Sequence, residues 1–600
     1  MEIFFTTPIE DILALLWIAD PVIARTLKKD VPLHDAREEM FEHLNSLERS
    51  LFNIYSDRRL KDMHIIERNN AKECIRVLKN IMRSENEKIT GFSALKMLHD
   101  LALHRKGLND VSKGFLLEFY FLFMGMHGRS KLNRSDVHLD ENEKGSAGSR
   151  SLILDGYAKI MDRQMRRYPS GTDPTLVRRA RKMKERLLSY FSGTDRDWRD
   201  HLWQLTHIVN DLSTLEDLVE LDEEERAGLK SADSLGIPYQ ITPYYLSLFD
   251  PKGKNDSDRT VRAQVIPSRV YCETVHGKSS LGEEMDFMGE RSTSPIDLIT
   301  RRYPKIVILK PFDSCPQICV YCQRNWEIKR IGEGEVTPGS LEKAMDWISD
   351  TRSISEVLVT GGDPLTLNNG QIAHILERLY DIEHLERIRI GSRVFVTLPF
   401  RIDEGLVKIL KRGHIPGKRE VCLVTHFEHT TEITPDAVGA VTRVRNAGMS
   451  IYNQQVFTYF NSRRFETCAL RRGLKLAGVD PYYSFNTKGK EETDDFRVPI
   501  ARMLQERKEE ARLLPGLIRT DEPVFNVPKL GKVHLRAWQD HEPIMILPTG
   551  RRVYRFYPWE AILTLVDDYI YTDVSIWDYL TRLHDEGESA SGYRSIWYYF

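Results

Sequence analysis

Apolar positions along the chain fall into two regimes. Up to about residue 192 they recur at helical spacing, as in Ile12-Leu13-Ala14-Leu15-Leu16 and Phe115-Leu116-Leu117-Glu118-Phe119-Tyr120. A stretch rich in Ser, Gly, Asn and charge interrupts them, so residues 1–127 read as a helical domain and 128–150 as a linker. Residues 151–300 read as a helical segment leading into a core. From Lys305 the texture changes, and short β-rich runs alternate with amphipathic helical patterns. Strands are predicted at Lys305–Lys310, Glu356–Thr360, Ile388–Ile390, Glu420–Thr425, Ser450–Val456 and Tyr482–Asn486. Helices are predicted between them, among others at Ser340–Ile348, Gln371–Leu379 and Pro435–Asn446.

Such alternation implies an α/β fold with a parallel sheet and right-handed crossovers. Six units point to an open, partial (β/α)6 barrel over 301–515, with the early helices as an amino-terminal extension. The carboxyl ends of its strands are all polar. They carry a cysteine loop, Gly361-Gly362-Asp363, Gly391-Ser392-Arg393, His426, Asn453-Gln454-Gln455 and Asn486-Thr487-Lys488. Active sites of parallel barrels lie at that end, so one mouth would gather them.

Composition narrows the class without changing this picture. Hydrophobic residues are 41% and charged residues 29%, as in an ordinary globular protein. A net charge of −2 argues against bulk nucleic-acid binding. The apolar stretch Ile12 to Ala19 is far shorter than the roughly 18–20 residues that cross a bilayer. Glu10 and Asp11 precede it, unlike a secretory signal, and no membrane association is expected. Seven cysteines are too few for a disulfide scaffold, which points to a reducing cytoplasm. Oligomeric state is not legible.

Three of those cysteines, Cys315, Cys319 and Cys322, have the spacing C-x3-C-x2-C. A structural zinc site usually takes four protein ligands. Three thiolates on one loop suit a 4Fe–4S cluster with one iron left open to a small molecule. Zinc completed by a distant histidine, or unligated thiols, are the alternatives.

With its aromatic Tyr321 before the last cysteine, this loop resembles the radical S-adenosylmethionine superfamily. Ile241-Thr242-Pro243-Tyr244-Tyr245, Gln264-Val265-Ile266-Pro267-Ser268, Arg302-Tyr303-Pro304, Arg389-Ile390-Gly391-Ser392-Arg393, Thr425-His426-Phe427 and Asp480-Pro481-Tyr482-Tyr483 resemble, in that order, the lysine 2,3-aminomutase family. The resemblance covers about residues 195–550. It implies S-adenosylmethionine on the open iron, reductive cleavage to a 5′-deoxyadenosyl radical, and an electron donor such as flavodoxin or ferredoxin. It places the methionine amino group at Gly361, Gly362 and Asp363, and puts His426 and Gln454 near the adenosyl or methionine parts. It also implies pyridoxal 5′-phosphate bound to a lysine in the 516–556 region, with Arg302 and Tyr303 on its phosphate and ring and Gln264 as a helper. The matching lysine is Lys532, in Asn526-Val527-Pro528-Lys529-Leu530-Gly531-Lys532. That loop is one residue shorter and poorer in glycine than the family's, which leaves Lys529 as a rival.

By the same resemblance Arg324 pairs with the α-carboxylate of an amino-acid substrate. Lysine-specific members hold a distal ammonium with two aspartates. Here those positions read Lys488 and Asn526, which repel an ammonium and suit a carboxylate. The same pair occurs in the glutamate 2,3-aminomutase branch, so L-glutamate is the expected substrate. The rivals are a lysine 2,3-aminomutase, a radical enzyme without pyridoxal phosphate, and a non-catalytic binding protein. The family's late zinc-binding cysteines have no counterpart after Cys468, so no such zinc site is expected. The aromatic tail, 557–600, is expected to pack against the barrel.

Overall fold

A computed structural model describes the 600 residues apart from 53–62, 134–145, 336–337, 488, 538–539 and 559–567. Most of the expected linker, part of the aromatic tail, and Lys488 therefore lie outside the described residues. Two compact units divide the chain: Met1–Asp162 with Arg497–Glu510 and Val533–Phe600, and Arg163–Phe496 with Ala511–Lys532.

The second unit holds the sheet. Its strands are β1 (Ile299–Thr300), β2 (Ile306–Phe312), β3 (Glu356–Gly361), β4 (Arg387–Gly391), β5 (Glu420–Thr425), β6 (Ile451–Phe457), β7 (Asp480–Asn486), β8 (Glu522–Val527) and β9 (Gly531–His534). They lie side by side in chain order. Strand β1 is antiparallel to β2, and β2 through β8 are parallel. Each of the six expected strands is present. Strand β8 extends the parallel set past the sixth, and the curled sheet forms a partial barrel.

The crossover helices form for reasons visible in the chain. Pro435–Asn446 starts at Thr434, whose hydroxyl caps the Ala437 amide, with proline in the first turn. Its buried residues Ala437, Ala440, Val441 and Val444 follow helical spacing and face the sheet. Asn369–Tyr380 opens on a capping box between Asn368 and Gln371. Along β2 every second residue, Val307, Leu309 and Pro311, is buried toward the helices, while Ile308, Lys310 and Phe312 face the barrel interior. A bulge between β6 and β7 breaks that alternation once. It turns the successive residues Tyr482 and Tyr483 to the interior, their rings 4.0 Å apart.

The first unit carries the helices Ile9–Ala19, Leu33–Phe52, Ile65–Ile81 and Lys113–Met126, and an antiparallel sheet of His541–Ile546, Arg552–Phe556 and Tyr569–Thr572. Here the expectation for the tail is corrected. Trp597 is buried and stacks on Phe121, 5.0 Å between centroids, inside this unit. Arg552 fixes it by donating to the Trp597 and Tyr599 carbonyls while paired with buried Glu118. Asp20, fully buried, caps the helix Pro21–Leu27 and takes contacts from His43 and His127, both at 3.0 Å.

Buried charge also locks the far edge of the barrel. Arg471, on helix Glu466–Ala477, meets Asp521 through two 2.8 Å contacts, and Ser484 of β7 donates to the same carboxylate. Asp521→Ala removes both of these contacts from a buried guanidinium and is expected to cost about 3–5 kcal/mol. Glu377→Ala removes an exposed pair with Arg412 and should cost under about 1 kcal/mol. Denaturant midpoints of the two variants check the contrast, and equal losses would refute it.

Candidate active site

The cysteine loop follows β2. Gln240, fully buried, holds it: its side-chain amide donates to the Cys315 carbonyl, its side-chain oxygen accepts from Ile331, and its own carbonyl accepts from Ile318. The Gln264 carbonyl accepts from Val320 on the same loop. The three thiols are half-buried and unbridged. Burial pushes the Cys315 and Cys319 thiols up: Asp363 and the other two cysteines add to it at Cys315, whereas at Cys319 the Arg393 guanidinium opposes it and Cys322 adds to it. Two donors face the sulfurs: the Arg324 amide at 3.3 Å from Cys322 Sγ, and Arg393 Nη1 at 2.8 Å from Cys319 Sγ.

The double glycine has a specific reason. Gly361 has φ of +115°, and a side chain on Gly362 would strike the Ser314 carbonyl at the start of the cysteine loop. The Gly362 and Asp363 amides donate to Phe312 and Ser314, so this turn is welded to the loop. The Asp363 carboxylate accepts from Ser392 Oγ and from the Arg393 and Leu365 amides. Burial still pushes its pKa up to about 6, against the pull of those bonds.

Arg393 then reaches across the mouth. It donates to the His426 carbonyl, to Glu432 at 2.8 Å and to Gln264. Glu432 also accepts from Tyr245 and Gln264, and Gln264 from Tyr321. Gln264 thus braces the cysteine loop. His426 is half-buried, and its ring bonds the Gln454 backbone; burial, then Arg393, lowers its pKa to about 4, which keeps it neutral. Glu428 is buried beside it, at 3.8 Å, and burial pushes that carboxyl up to about 8.

The remaining candidates gather around Lys532 and Glu290. Lys532 Nζ lies 5.2 Å from the Tyr303 ring and 5.3 Å from the Tyr483 ring, and its amide donates to Tyr303 Oη. Lys529 is exposed, with φ of +63°, and its side chain lies against Gly289. The pairing of Phe485 with Val524 sets Asn526 further along the same strand face. Arg324, Arg302 and Lys310 converge on buried Glu290 at 3.0, 3.7 and 3.5 Å. Burial works against the Glu290 charge, but Arg324, then Arg302 and Lys310, bring its pKa down to about 2. With Glu327 beside Arg324 and Lys310, three cations face two carboxylates.

These residues fit the groups expected of them. Three half-buried thiols on one loop, two of them facing donors on their sulfurs, suit a cluster that is left open on one side. Gln317, buried inside the loop, has no partner for either side-chain polar atom. Excess positive charge beside a half-buried lysine suits an anionic cofactor. Gln240, Glu432 and Glu290 carry none of the resemblance, which explains why pattern reading passed over them.

The comparisons agree with this geometry. Residues 309–450 match the model of the radical SAM superfamily. The chain is 41% identical, over 97% of its length and 96% of the other's, to an uncharacterized KamA family protein of Methanocaldococcus jannaschii. It is 33% identical over 53% of its length to the glutamate 2,3-aminomutase of Clostridioides difficile, 72% of which is covered. It is 36% identical over 51% to the L-lysine 2,3-aminomutase of Bacillus subtilis, 62% of which is covered. The chain is therefore a radical SAM protein, which implies a 4Fe–4S cluster and S-adenosylmethionine. More narrowly, it belongs to the KamA family and is an isomerase of the radical SAM aminomutase class.

Two variants separate the loop's chemistry from its support. Cys319→Ala should abolish iron binding and S-adenosylmethionine cleavage while the circular dichroism stays near wild type. Gly362→Ala should cut iron retention at least several-fold, because its methyl group displaces Ser314. Cys74→Ala, in the other unit, should leave iron unchanged. Wild-type cleavage by Cys319→Ala would refute the assignment.

Proposed function

We propose that the protein is a pyridoxal-phosphate-dependent 2,3-aminomutase that converts L-glutamate to β-glutamate. The observation that carries cofactor dependence is the place of Lys532, between Tyr303 and Tyr483, with Arg302 of the cation cluster next to Tyr303 in sequence. When bound, the cluster with S-adenosylmethionine supplies hydrogen abstraction at C3, and pyridoxal phosphate supplies a route for 1,2-migration of the amino group. Cys315, Cys319 and Cys322 would hold the cluster. The Gly361-Gly362-Asp363 turn, His426 and Gln454 would hold S-adenosylmethionine, with His426 kept neutral by burial and Arg393. Lys532 would hold pyridoxal phosphate through its ε-amine, with Tyr303 at the ring and Arg302 at the phosphate.

Arg324 would orient the substrate α-carboxylate, exchanging Glu290 for it. Asn526 would donate its amide to a distal carboxylate. Lys488 would supply a positive charge two residues past the end of β7; its role rests on sequence position alone. Overall identity does not separate the two named activities, at 33% to the glutamate relative and 36% to the lysine relative. The preference for glutamate rests on the charge change at these two positions. The electron would come from a low-potential donor such as flavodoxin or ferredoxin. Among the described residues no helix is long and apolar enough to cross a membrane.

Reconstituted, reduced protein offered both amino acids should turn over glutamate at least tenfold faster than lysine. Faster lysine turnover would refute the substrate. Lys532→Ala should lose the borohydride-trapped pyridoxyl adduct, and Lys529→Ala should keep it. The reverse pattern would move the attachment to Lys529, and an adduct in neither wild type nor variants would remove pyridoxal phosphate from the reaction.

A further inference from the structure

Arg393 is held more completely than binding a substrate would require. Its side chain is 10% exposed, and Nε donates to the His426 carbonyl at 3.0 Å. Nη2 is shared by Glu432 and Gln264, which leaves Nη1 aimed at Cys319 Sγ at 2.8 Å. Its counter-ion is held as firmly. Glu432 Oε1 takes bonds from Arg393, Tyr245 and Gln264, and Oε2 takes the Glu428 and His429 amides at 2.6 and 3.3 Å. The Arg393 amide is tied in turn to the Asp363 carboxylate at 2.7 Å. Every atom that could let the guanidinium drift is fixed. Among the described residues the other donor to a sulfur of the loop is a neutral amide, Arg324 N on Cys322.

A fixed cation on one thiolate has a definite electrostatic effect. When a 4Fe–4S cluster on three thiolates takes up one electron, its charge becomes more negative by one unit. A guanidinium in hydrogen-bond contact with a ligand sulfur stabilises the more negative state, in surroundings of low dielectric. The buried carboxylate of Glu432, on the far side of that guanidinium, opposes it. We propose that Arg393 is a positioning residue that raises the one-electron reduction potential of the cluster through Cys319, and that Glu432 sets how strongly it does so. The electron comes from an external low-potential donor, or dithionite in the assay, and no bond is made or broken. The proposal rests on the cluster and not on the substrate or on pyridoxal phosphate.

Potentiometric titration followed by electron paramagnetic resonance tests it on reconstituted full-length protein without S-adenosylmethionine. Arg393→Gln should lower the midpoint so that about tenfold less cluster is reduced at a fixed potential, which is about 59 mV for one electron. Arg393→Lys should fall between that variant and wild type. Glu432→Gln, which removes the opposing charge, should shift the midpoint upward. Opposite signs are the signature, because general damage to the loop has no reason to split them. Unchanged midpoints in Arg393→Gln and Glu432→Gln, or shifts of both in one direction, would overturn the proposal. If Arg393→Gln holds no iron, Glu432→Gln decides alone, with a rise in support and none against. Iron missing from the wild type as well would instead overturn the cluster assignment.

Discussion

The site depends on one buried carboxylate. Asp363 ends β3 against the cysteine loop, and its side chain takes the Ser392 hydroxyl and the Arg393 amide from the end of β4. Arg393 carries the tie onward to His426 at the end of β5, and to Cys319. Three strand ends and the cysteine loop therefore share one chain of bonds. Isolated, such a carboxylate would be costly to bury. Three donors offset that cost only in part, as a pKa raised to about 6 attests. The glycines beside it let the backbones come this close.

The mouth of the barrel is divided by charge. Around β3, β4 and β5 the polar groups are closed on one another, Arg393 with Glu432 and Gln264 with Tyr321, which gives the thiols a rigid frame. Around β2, β7 and β8 the groups suit exchange. Glu290 occupies Arg324 and Arg302, the two groups that the proposed function assigns to substrate and cofactor anions. The bulge at β7 brings Tyr483 inward to lie against Lys532. A rigid electron-accepting side and an exchangeable anion-binding side match the needs of radical chemistry on an amino acid.

Much of this was legible in the residues. Short β-rich runs between amphipathic helical patterns marked the six strands to within about two residues, and Pro435–Asn446 has the expected bounds, with Thr434 and Pro435 at its start. The polar strand ends foretold the mouth. Partners distant in sequence were not legible: Gln240 lies 75 residues from the Cys315 carbonyl it holds, and Glu290 sits in a loop without period or motif. Nor was it legible that the Gly362 and Asp363 amides tie the glycine turn to the cysteine loop. The aromatic tail read correctly as core but was assigned to the wrong partner, since aromatic content tells that a segment is buried and not what covers it.

Hydrogen transfer between substrate and S-adenosylmethionine is the direct consequence of a shared mouth. Reduced, reconstituted protein given L-glutamate deuterated at C3 should return S-adenosylmethionine carrying deuterium at its 5′ carbon, together with β-glutamate. Formation of β-glutamate with no deuterium in the recovered S-adenosylmethionine would contradict a radical aminomutase built on this loop.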